Sequence, residues 1–425
     1  MIVFQVALVV SVVLSLGYLA ALTMSVVLAS LRAGGRLEEA PDSVTALATS
    51  RLTIPVSVIV PAGDAQEIGG TIRALLDLNY PEFEVIIVVD GPAASADTVA
   101  DEWALESVEF FYRRSLDTMA VRRIFRSARD PRLMVVEKDA SHPSDALNVG
   151  VNIARYRFVA VVPLGTTFGR DALVRAMAPA LDDPRNVVGV FSPLEPSGSA
   201  VSGRVAGQFL RLRSIRAAMV ARLFDGGLSR QVDGDGVRLW RRDAILSAGG
   251  FSTHVGCPDL DMAMRLVRDG EQRVVSTPEA FGCAAARVGS AGSADTRDRQ
   301  LAVLRLLGGV NRLSIRRGLR QGIGATLEAE LLTPIAQAWV VVGSVCGAAT
   351  GIFGWSAVVW CAVILSFGSA LVSTSAVLMA GSSVRGPAAA EIAPLLIAAP
   401  FEFLMVRPRF ARARLSAIFR SHPVP

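Results

Sequence analysis

The sequence predicts an α/β domain with a doubly wound, mostly parallel sheet, and apolar helices at both ends of the chain. Short β-branched runs alternate with helical patterns, the order expected of parallel βαβ units. Residues Ile2–Leu31 contain no charged side chain, and neither do residues Leu331–Val384. Uncharged runs of this length are typical of membrane-spanning helices, which need about 20 apolar residues.

The composition also favours a membrane protein. The chain has 425 residues, of which 52% are apolar, and its mean hydropathy is +0.45. These values exceed the norm for soluble proteins. The net charge of +5 is due to arginine, since Lys138 is the only lysine. Such an excess reflects base composition or a solvated surface, and it also suits an anionic phosphate or lipid headgroup. The four cysteines lack zinc-type spacing, which favours a reducing compartment.

We predict four regions along the chain. They are an N-terminal transmembrane helix (1–31), a linker (32–51), a cytoplasmic domain (52–320) and a C-terminal membrane region (321–425). Arg32 and Arg36 follow the first apolar run, so the positive-inside tendency places the domain in the cytoplasm. A cleaved signal peptide is the rival interpretation. The apolar run is too long for the hydrophobic core of a signal peptide, and no basic residues precede it.

The C-terminal region is predicted to contain two spans, at about 331–350 and 355–380, with glycines at the turn between them. Segment 391–406 is interrupted by prolines and carries Glu402, so it is an interfacial or re-entrant segment or a third span. The basic, amphipathic tail suits an anionic cytoplasmic leaflet. A third span would place this tail outside. We therefore favour the interfacial alternative, in a multi-pass protein of the inner (plasma) membrane.

Apolar spacing predicts the elements of the domain. Strands are expected at 54–60, 85–90, 133–136, 158–162 and 187–191. Helices are expected at 68–78, 96–114, 145–154, 172–181 and 208–224, with a further helix beginning at Asp259. Residues 232–251 are predicted to be a strand that runs into a short helix, and residues 121–130 a basic connector.

The chemistry of such a sheet is expected at the carboxyl ends of its strands. Asp90 ends the strand at 85–90. The strand at 158–162 is followed by Pro163-Leu164-Gly165-Thr166, a loop with no carboxylate. Two carboxylate pairs of the Asp-x-Asp type occur elsewhere, at 233–235 and 259–261. The first of these is also typical of a simple turn.

Six stretches follow one another along the chain: VSVIVPAGDAQEIGGTIRALLDLNYPEFEVIIVVDG, VRRIFRSARDPRLMVVEKD, DALNVGVNIARYRFVAVV, WRRDAILSAGGF, PDLDMAMRL and FEFLMVRPRF. In content and order they resemble segments of membrane-associated family-2 glycosyltransferases of the processive type, which have a GT-A fold. The resemblance covers nearly the whole chain. It implies inverting transfer of a sugar from a nucleotide sugar, such as a UDP-sugar, to a glycan or lipid acceptor in polysaccharide biosynthesis. Membrane lipid is an expected partner and nucleic acid is not.

The resemblance also implies roles for individual residues. Asp90, Asp64 and Asp145 would bind the nucleotide sugar. Asp259 has the position of the catalytic base, although an aspartate that begins a helix is also a common N-cap worth about 1 kcal/mol. Gln300 and Asp235 would lie on the acceptor side.

Several positions depart from the family pattern. The resemblance implies Mg²⁺ or Mn²⁺ held by an Asp-x-Asp pair, but those positions are Pro163, Leu164 and Gly165, and hard cations require oxygen anions. Pro143 replaces the lysine that contacts the diphosphate. Val303 and Leu304 replace the arginine and tryptophan of the acceptor platform. No cofactor is therefore certain.

Two substitutes for the metal are open. One is a softer ion such as Zn²⁺ held by His142 together with the His-x-x-Cys-x-Asp group of His254, Cys257 and Asp259. The other is neutralisation of the diphosphate by arginines, such as Arg122, Arg126 and Arg129. The function is correspondingly open. Either the chain is an active glycosyltransferase, or it is an inactive homologue that serves as scaffold or regulatory partner of another membrane glycan-synthesis protein.

Overall fold

The computed structural model describes residues 2–33, 53–63, 68–91, 96–196, 236–254, 258–267, 272–276, 282–284 and 332–381. The predicted linker, the predicted helix at 208–224 and the C-terminal segment and tail lie outside the described residues.

The described residues form helices and strands that are numbered here in chain order. The helices are α1 (Ile2–Ala33), α2 (Ile68–Leu76), α3 (Asp97–Trp103), α4 (Pro143–Ile153), α5 (Ala172–Asp182), α6 (Arg242–Ser247), α7 (Pro258–Val267), α8 (Thr333–Ala349) and α9 (Trp355–Gly381). The strands are β1 (Val56–Ala62), β2 (Phe83–Asp90), β3 (Leu105–Ser107), β4 (Val121–Ser127), β5 (Leu133–Lys138), β6 (Phe158–Val161), β7 (Thr167–Phe168), β8 (Val187–Pro193), β9 (Glu195–Pro196), β10 (Gly236–Arg241), β11 (Arg273–Ser276) and β12 (Gly282–Ala284).

The main sheet has nine strands in the order β11-β8-β10-β6-β1-β2-β5-β4-β3, and β7, β12 and β9 form a small second sheet. Strands β5, β2, β1 and β6 are parallel neighbours. Strand β10 is antiparallel to both β6 and β8. The prediction of an α/β sheet flanked by helices is thus confirmed, but the sheet is mixed rather than mostly parallel: four of its eight strand pairings are parallel and four are antiparallel. Because β2 and β6 lie on opposite sides of β1, the topological switch point lies between the carboxyl ends of β1 and β6.

Each face of the sheet covers an apolar core. In β2, Val85, Ile87 and Val89 pack into a core that also contains side chains of α2 and α5. Ile86 and Val88 point the other way, into a core shared with α4, α6 and α7. We call this second side the α4 face. Since side chains alternate along a strand, Asp90 at the end of β2 continues the series that faces α4.

The prediction of a helix over 96–114 is wrong beyond its first two turns. Helix α3 ends at Trp103, and Ala104 has the left-handed backbone conformation (φ 46°) that ends a helix. The chain then forms β3, which pairs with β4. The αL residue is an alanine, so the sequence gives none of the usual glycine signal for this helix end.

The prediction of a basic connector over 121–130 is also wrong, because most of this segment is strand β4, antiparallel to β5. Ile124 and Phe125 are buried, whereas Arg122 and Arg123 are exposed. Charged side chains are tolerated near a sheet edge, where part of the strand faces water.

The apolar helices α1, α8 and α9 pack against one another around Leu19, Val340, Cys361 and Leu365. Trp339 on α8 donates a hydrogen bond from Nε1 to Ser11 Oγ on α1, at 2.9 Å. The outer surfaces of these helices expose large apolar side chains. By length and composition, α1 and α9 could cross a membrane, and α8 is a shorter apolar helix. Helices α8 and α9 occupy the segments predicted as spans.

Candidate active site

The only lysine of the chain lies at the carboxyl end of the sheet, beside Asp90. Lys138 ends β5 and is in register with Asp90 at the end of β2. Its side chain has no solvent exposure. Its Nζ donates hydrogen bonds to Asp90 Oδ1 at 2.8 Å, to Ser141 Oγ at 2.7 Å and to the carbonyl of Asp139 at 2.7 Å. An ammonium group has three donors, so these bonds satisfy all of them.

Asp145, in the first turn of α4, shares this lysine with Asp90. Its Oδ2 lies 3.0 Å from Lys138 Nζ and accepts a hydrogen bond from Ser141 Oγ at 2.9 Å. Its Oδ1 accepts from the backbone N–H of Met119 at 3.1 Å. Asp90 Oδ1 also accepts from the backbone N–H of Ser141 at 2.9 Å. We call Asp90, Lys138, Ser141 and Asp145 the Lys138 cluster, in which a single cation contacts two carboxylates.

Polar side chains of the DALNVGVN stretch position the loops around this cluster. Asn148 exchanges two hydrogen bonds with the backbone of Phe251, at 2.8 and 2.9 Å. Asn152 does the same with the backbone of Leu116, at 2.9 Å each. Gly150 lets α4 approach β1, because a Cβ there would lie 2.5 Å from Ile59 Cγ2. Helix α4 is thus a rigid support for the carboxyl edge of the sheet.

A second ion pair links β10 to the first turn of α7. Arg238 Nε lies 3.2 Å from Asp259 Oδ2, and the two side chains are 17% and 8% exposed. Asp259 Oδ1 is buried with no hydrogen-bond partner among the described residues, as is Trp240 Nε1. Burial raises the pKa of Asp259, and the charge of Arg238 and the nearby Trp240 indole oppose this rise. Trp240 Nε1 makes no well-formed hydrogen bond to a described residue. We therefore attribute its lowering effect on the pKa of Asp259 to the closeness of the indole N–H to the carboxylate.

The two ion-pair clusters lie on the same face of the sheet, on either side of the switch point. Arg238 pairs in register with Val161, the last residue of β6. Val237 and Leu239 pack into the core on the opposite face, so Arg238 faces α4 as Asp90 does. Three strand intervals separate β10 from β2, which corresponds to about 14 Å. An extended molecule made of a nucleoside, a diphosphate and a sugar can bridge such a distance.

The loop after β6, between these clusters, does not fit a divalent cation. Leu164 is buried in the apolar core. The Gly165 N–H donates to Thr71 Oγ1 at 2.9 Å, and Thr166 Oγ1 donates to the carbonyl of Pro163 at 2.6 Å. The loop supplies no carboxylate, which Mg²⁺ and Mn²⁺ prefer. Among the described residues, no group of three or more histidine, cysteine, aspartate or glutamate side chains could hold a metal.

The residues predicted to replace the divalent cation, a zinc site or a group of arginines, lie in different parts of the structure. His142 is the N-cap of α4 and accepts a hydrogen bond from the Ser144 N–H, whereas Cys257 lies outside the described residues, so the zinc hypothesis is not tested. Arg122 forms an ion pair with Asp139 near the carboxyl end of β5. Arg126 is in register with Met134, further from that edge. Of these two, Arg122 is thus the closer to the candidate site.

The structure brings Asp90 and Asp145 together and places Asp259 in the separate cluster on β10 and α7. Asp64, Asp235 and Gln300 lie outside the described residues. Lys138 and Arg238 were not predicted as site residues. Lys138 could have been found as the only lysine of the chain, at the end of a buried strand. Arg238 could have been found as an arginine at an inward-facing position of the strand that contains VRLW.

Comparisons with known proteins give similarity in structure only. No protein-family model matches the sequence, and no curated protein matches it. The structure is similar to "Mannosyltransferase PcManGT from Pyrobaculum calidifontis in complex with GDP-Man and Mn2+", with a TM-score of 0.55, 20% identity, and coverage of 93% of this chain and 99% of that chain. It is also similar to "S. aureus TarS 1-349 in complex with UDP-GlcNAc", with a TM-score of 0.42, 12% identity, and coverage of 84% and 92%. The first similarity confirms that the described residues have a glycosyltransferase-like fold.

Proposed function

We propose that this chain is a membrane-bound, inverting glycosyltransferase of the family-2 type, which transfers a sugar from a nucleotide sugar to a glycan or lipid acceptor. One observation carries the proposal: Asp90 and Asp259 lie on one face of a glycosyltransferase-like sheet, on either side of its switch point. Ligands of open α/β sheets bind there. The solved mannosyltransferase of similar fold holds GDP-Man, which supports a nucleotide sugar as the donor.

The donor is bound through its nucleoside at Asp90. Lys138 and the Ser141 N–H both contact Oδ1 of this carboxylate, and these contacts fix its orientation. A fixed carboxylate at the end of β2 accepts hydrogen bonds from the base or the ribose. Asp145 supports Asp90 through the shared lysine. Asp64 also contributes to binding of the nucleotide sugar.

Asp259 is the general base. Its carboxylate takes the proton of the acceptor hydroxyl while the hydroxyl oxygen bonds to the anomeric carbon. The bond from that carbon to the diphosphate then breaks, and the nucleoside diphosphate leaves. Burial raises the pKa of Asp259, which makes it a stronger base than a solvated aspartate. Asp235 and Gln300 contribute to the acceptor side.

Helices α1 and α9 anchor the enzyme in the inner (plasma) membrane, with α8 between them. Three apolar helices that expose large apolar side chains on their outer surfaces match a lipid environment. The α/β domain lies in the cytoplasm, where nucleotide sugars are available. Membrane lipid is then a constant contact, and a lipid-linked or growing glycan is the acceptor.

The rival function is that of an inactive scaffold or regulatory partner for another membrane glycan-synthesis protein. It is favoured by the loop Pro163–Thr166, which has the wrong chemistry for the metal that the family resemblance implies. It is also favoured by the pairing of Asp90, Asp145 and Asp259 with internal cations. A scaffold would keep the fold and lose turnover.

Donor turnover by the full chain in detergent separates these functions. GDP-mannose, UDP-GlcNAc and other nucleotide sugars are supplied, in parallel with Mn²⁺ and with EDTA, and release of nucleoside diphosphate is measured. The enzyme predicts release from at least one donor, and loss of most of that turnover in Asp259→Asn. Asp243→Asn is the matched control, because Asp243 is an exposed carboxylate that likewise forms an ion pair with an arginine of β10, Arg241. No release from any donor would favour the scaffold.

A further inference from the structure

We propose that Trp240 Nε1 and Asp259 Oδ1 form a binding site for one hydroxyl group, whose oxygen accepts a hydrogen bond from the indole and whose proton is directed at the carboxylate. We call these two atoms the hydroxyl site. It takes the hydroxyl of a sugar acceptor or, by the same chemistry, a water molecule. The inference rests on the proposed glycosyltransferase function and deepens it, because it assigns Trp240 as the residue that orients the acceptor at the base.

The hydroxyl site consists of two buried polar atoms with complementary chemistry. Trp240 is completely buried, and Asp259 is more than nine-tenths buried. An indole N–H can only donate a hydrogen bond, and an ionised carboxylate can only accept one. Neither Nε1 nor Oδ1 has a hydrogen-bond partner among the described residues. Buried polar atoms are nearly always hydrogen-bonded, and a hydroxyl group, which both accepts and donates, would satisfy these two atoms together.

Strand β10 and helix α7 bring the two atoms close to each other. Arg238 and Trp240 are two residues apart in β10, so both side chains point to the α4 face, where α7 packs. Arg238 Nε lies 3.2 Å from Oδ2 of Asp259, and this contact orients the carboxylate. The hydroxyl site uses the other oxygen, Oδ1, so a bound hydroxyl group leaves the ion pair in place.

The indole is held rigidly in its orientation. The ring of Phe191 packs edge-on against it, with ring centroids 5.1 Å apart and an interplanar angle of 89°. Gly189 lies against its six-membered ring, where a Cβ would be only 2.7 Å from Trp240 Cζ3. A donor that is fixed before the substrate binds loses little freedom when the hydrogen bond forms. Trp240 can therefore orient a hydroxyl group with precision.

This geometry assigns each part of the acceptor hydroxyl a partner. One lone pair of its oxygen accepts from Trp240 Nε1, and its proton lies against Asp259 Oδ1, which leaves another lone pair to attack the anomeric carbon of the donor. As the new carbon–oxygen bond forms, the proton passes to Oδ1 and the bond from the anomeric carbon to the diphosphate breaks. Correct orientation of the attacking oxygen lowers the barrier. A water molecule in the same place yields the free sugar.

Kinetics of Trp240→Phe in the full chain in detergent test the inference. GDP-mannose, UDP-GlcNAc and other nucleotide sugars are supplied with and without glycerol, a small soluble alcohol. Free sugar reports attack by water, and the glyceryl glycoside reports attack by an alcohol. Phenylalanine keeps an aromatic ring but removes the N–H. We expect kcat for both products to fall about tenfold, the effect of one hydrogen bond, with the KM of the donor unchanged.

Trp103→Phe is the matched control. Trp103 Nε1 is likewise buried without a hydrogen-bond partner among the described residues, but Trp103 packs against the core on the opposite face of the sheet. This variant should keep the rates of the wild type. An unchanged kcat in Trp240→Phe, a loss due to a raised donor KM alone, or an equal loss in both variants would overturn the inference and leave the proposed function intact.

A binding measurement that needs no turnover completes the test. The chain has five tryptophans, so the indole N–H resonances of the ¹⁵N-labelled wild type are few, and single Trp→Phe substitutions assign them. Glycerol should shift the resonance of Trp240 saturably and leave that of Trp103 in place. Equal or absent shifts would overturn the hydroxyl site. A specific shift without release of nucleoside diphosphate from any donor would support the site and contradict the proposed function.

Discussion

Lys138 is a single buried cation that holds two carboxylates. It is surrounded by Asp90 and Asp145 at 2.8 and 3.0 Å and is fully buried. Removing one partner from such a cluster leaves a buried charge without compensation, which usually costs more than the pair itself contributes. The cluster therefore specifies how β2, β5 and α4 meet at the site.

Lys138→Met should lower the free energy of unfolding by about 3–5 kcal/mol, because it leaves two buried carboxylates without a cation. Urea denaturation of the full chain in mild detergent measures the change. Arg170→Gln is the control, since it breaks an ion pair with Asp77 whose side chains are 74% and 63% exposed; there we expect little change. Equal stability of the two variants would show that the Lys138 cluster is not structural.

The raised pKa of Asp259 links stability to pH. Burial disfavours its charged form, so the folded-state pKa lies above the ordinary value of 3.8. The folded protein then binds more protons than the unfolded chain between these two values, and the contribution of Asp259 to stability is lost as the pH rises through the folded pKa. Asp259→Asn should remove this component. Thermal unfolding of the wild type and of Asp259→Asn is compared from about pH 4, near the ordinary pKa of an aspartate, upward. The wild type should lose stability relative to the variant as the pH rises. A stability difference that does not grow with pH would contradict the raised pKa.

Part of the candidate site was predictable residue by residue. Asp90 ends a buried strand, which is visible in the sequence and indicates a ligand-binding position. Its pairing with Lys138 was not visible, because it depends on β5 lying beside β2, and neighbours in a sheet are set by tertiary packing. The Arg238 pair was missed for the same reason, since Arg238 and Asp259 lie on separate elements.

At the scale of elements, α4 and its contact with β1 fix the carboxyl edge of the sheet. Gly150→Ala should destabilise the protein by about 1–3 kcal/mol, the usual cost of overpacking a core. The new Cβ would lie 2.5 Å from Ile59 Cγ2, and Ile59 is fully buried. Chemical denaturation measures the loss.

Gly70→Ala provides the matched control for this substitution. Gly70 is an exposed position in α2, and a Cβ there would meet nothing within 4 Å. Alanine should therefore stabilise the helix by about 0.5–1 kcal/mol. If both alanines had the same effect, close packing of α4 against β1 would not be a determinant of stability.

The strands and helices that build the parallel core were predictable, because each carries a continuous apolar run or a clear helical period. The region 96–130 was not. Its helix ends at an alanine with positive φ, and its strand β4 has adjacent exposed arginines and adjacent buried apolar residues in place of the alternation that identifies a strand. Pairing with β5 decides its conformation.

At the scale of the whole molecule, α1 joins the two ends of the chain through contacts with α8 and α9. Contacts between Tyr18 and Thr333 and between Ser11 and Trp339 link segments separated by more than 300 residues. These three helices expose many large apolar side chains, and contiguous apolar patches on a surface mark contacts with proteins or membranes. A bilayer would cover these side chains.

We expect the full chain to remain in the membrane fraction after an alkaline carbonate wash, which removes peripheral proteins. A reporter fused before Ile2 should be accessible from outside the cell if, as we propose, the positive-inside tendency of Arg32 and Arg36 keeps the following domain in the cytoplasm. Release of the chain by carbonate would contradict membrane spanning. Labelling of the reporter only after cell lysis would reverse the predicted topology.

Binding of a nucleotide sugar at the carboxyl edge of this sheet is tested by calorimetric titration of the full chain in detergent with GDP-mannose, UDP-GlcNAc and other nucleotide sugars. We predict saturable binding of at least one of them, lost in Asp90→Ala and kept in Asp77→Ala, which removes an exposed acid remote from the site. Absence of binding by every nucleotide sugar, with Mn²⁺ or with EDTA, or equal binding by both variants, would contradict this prediction.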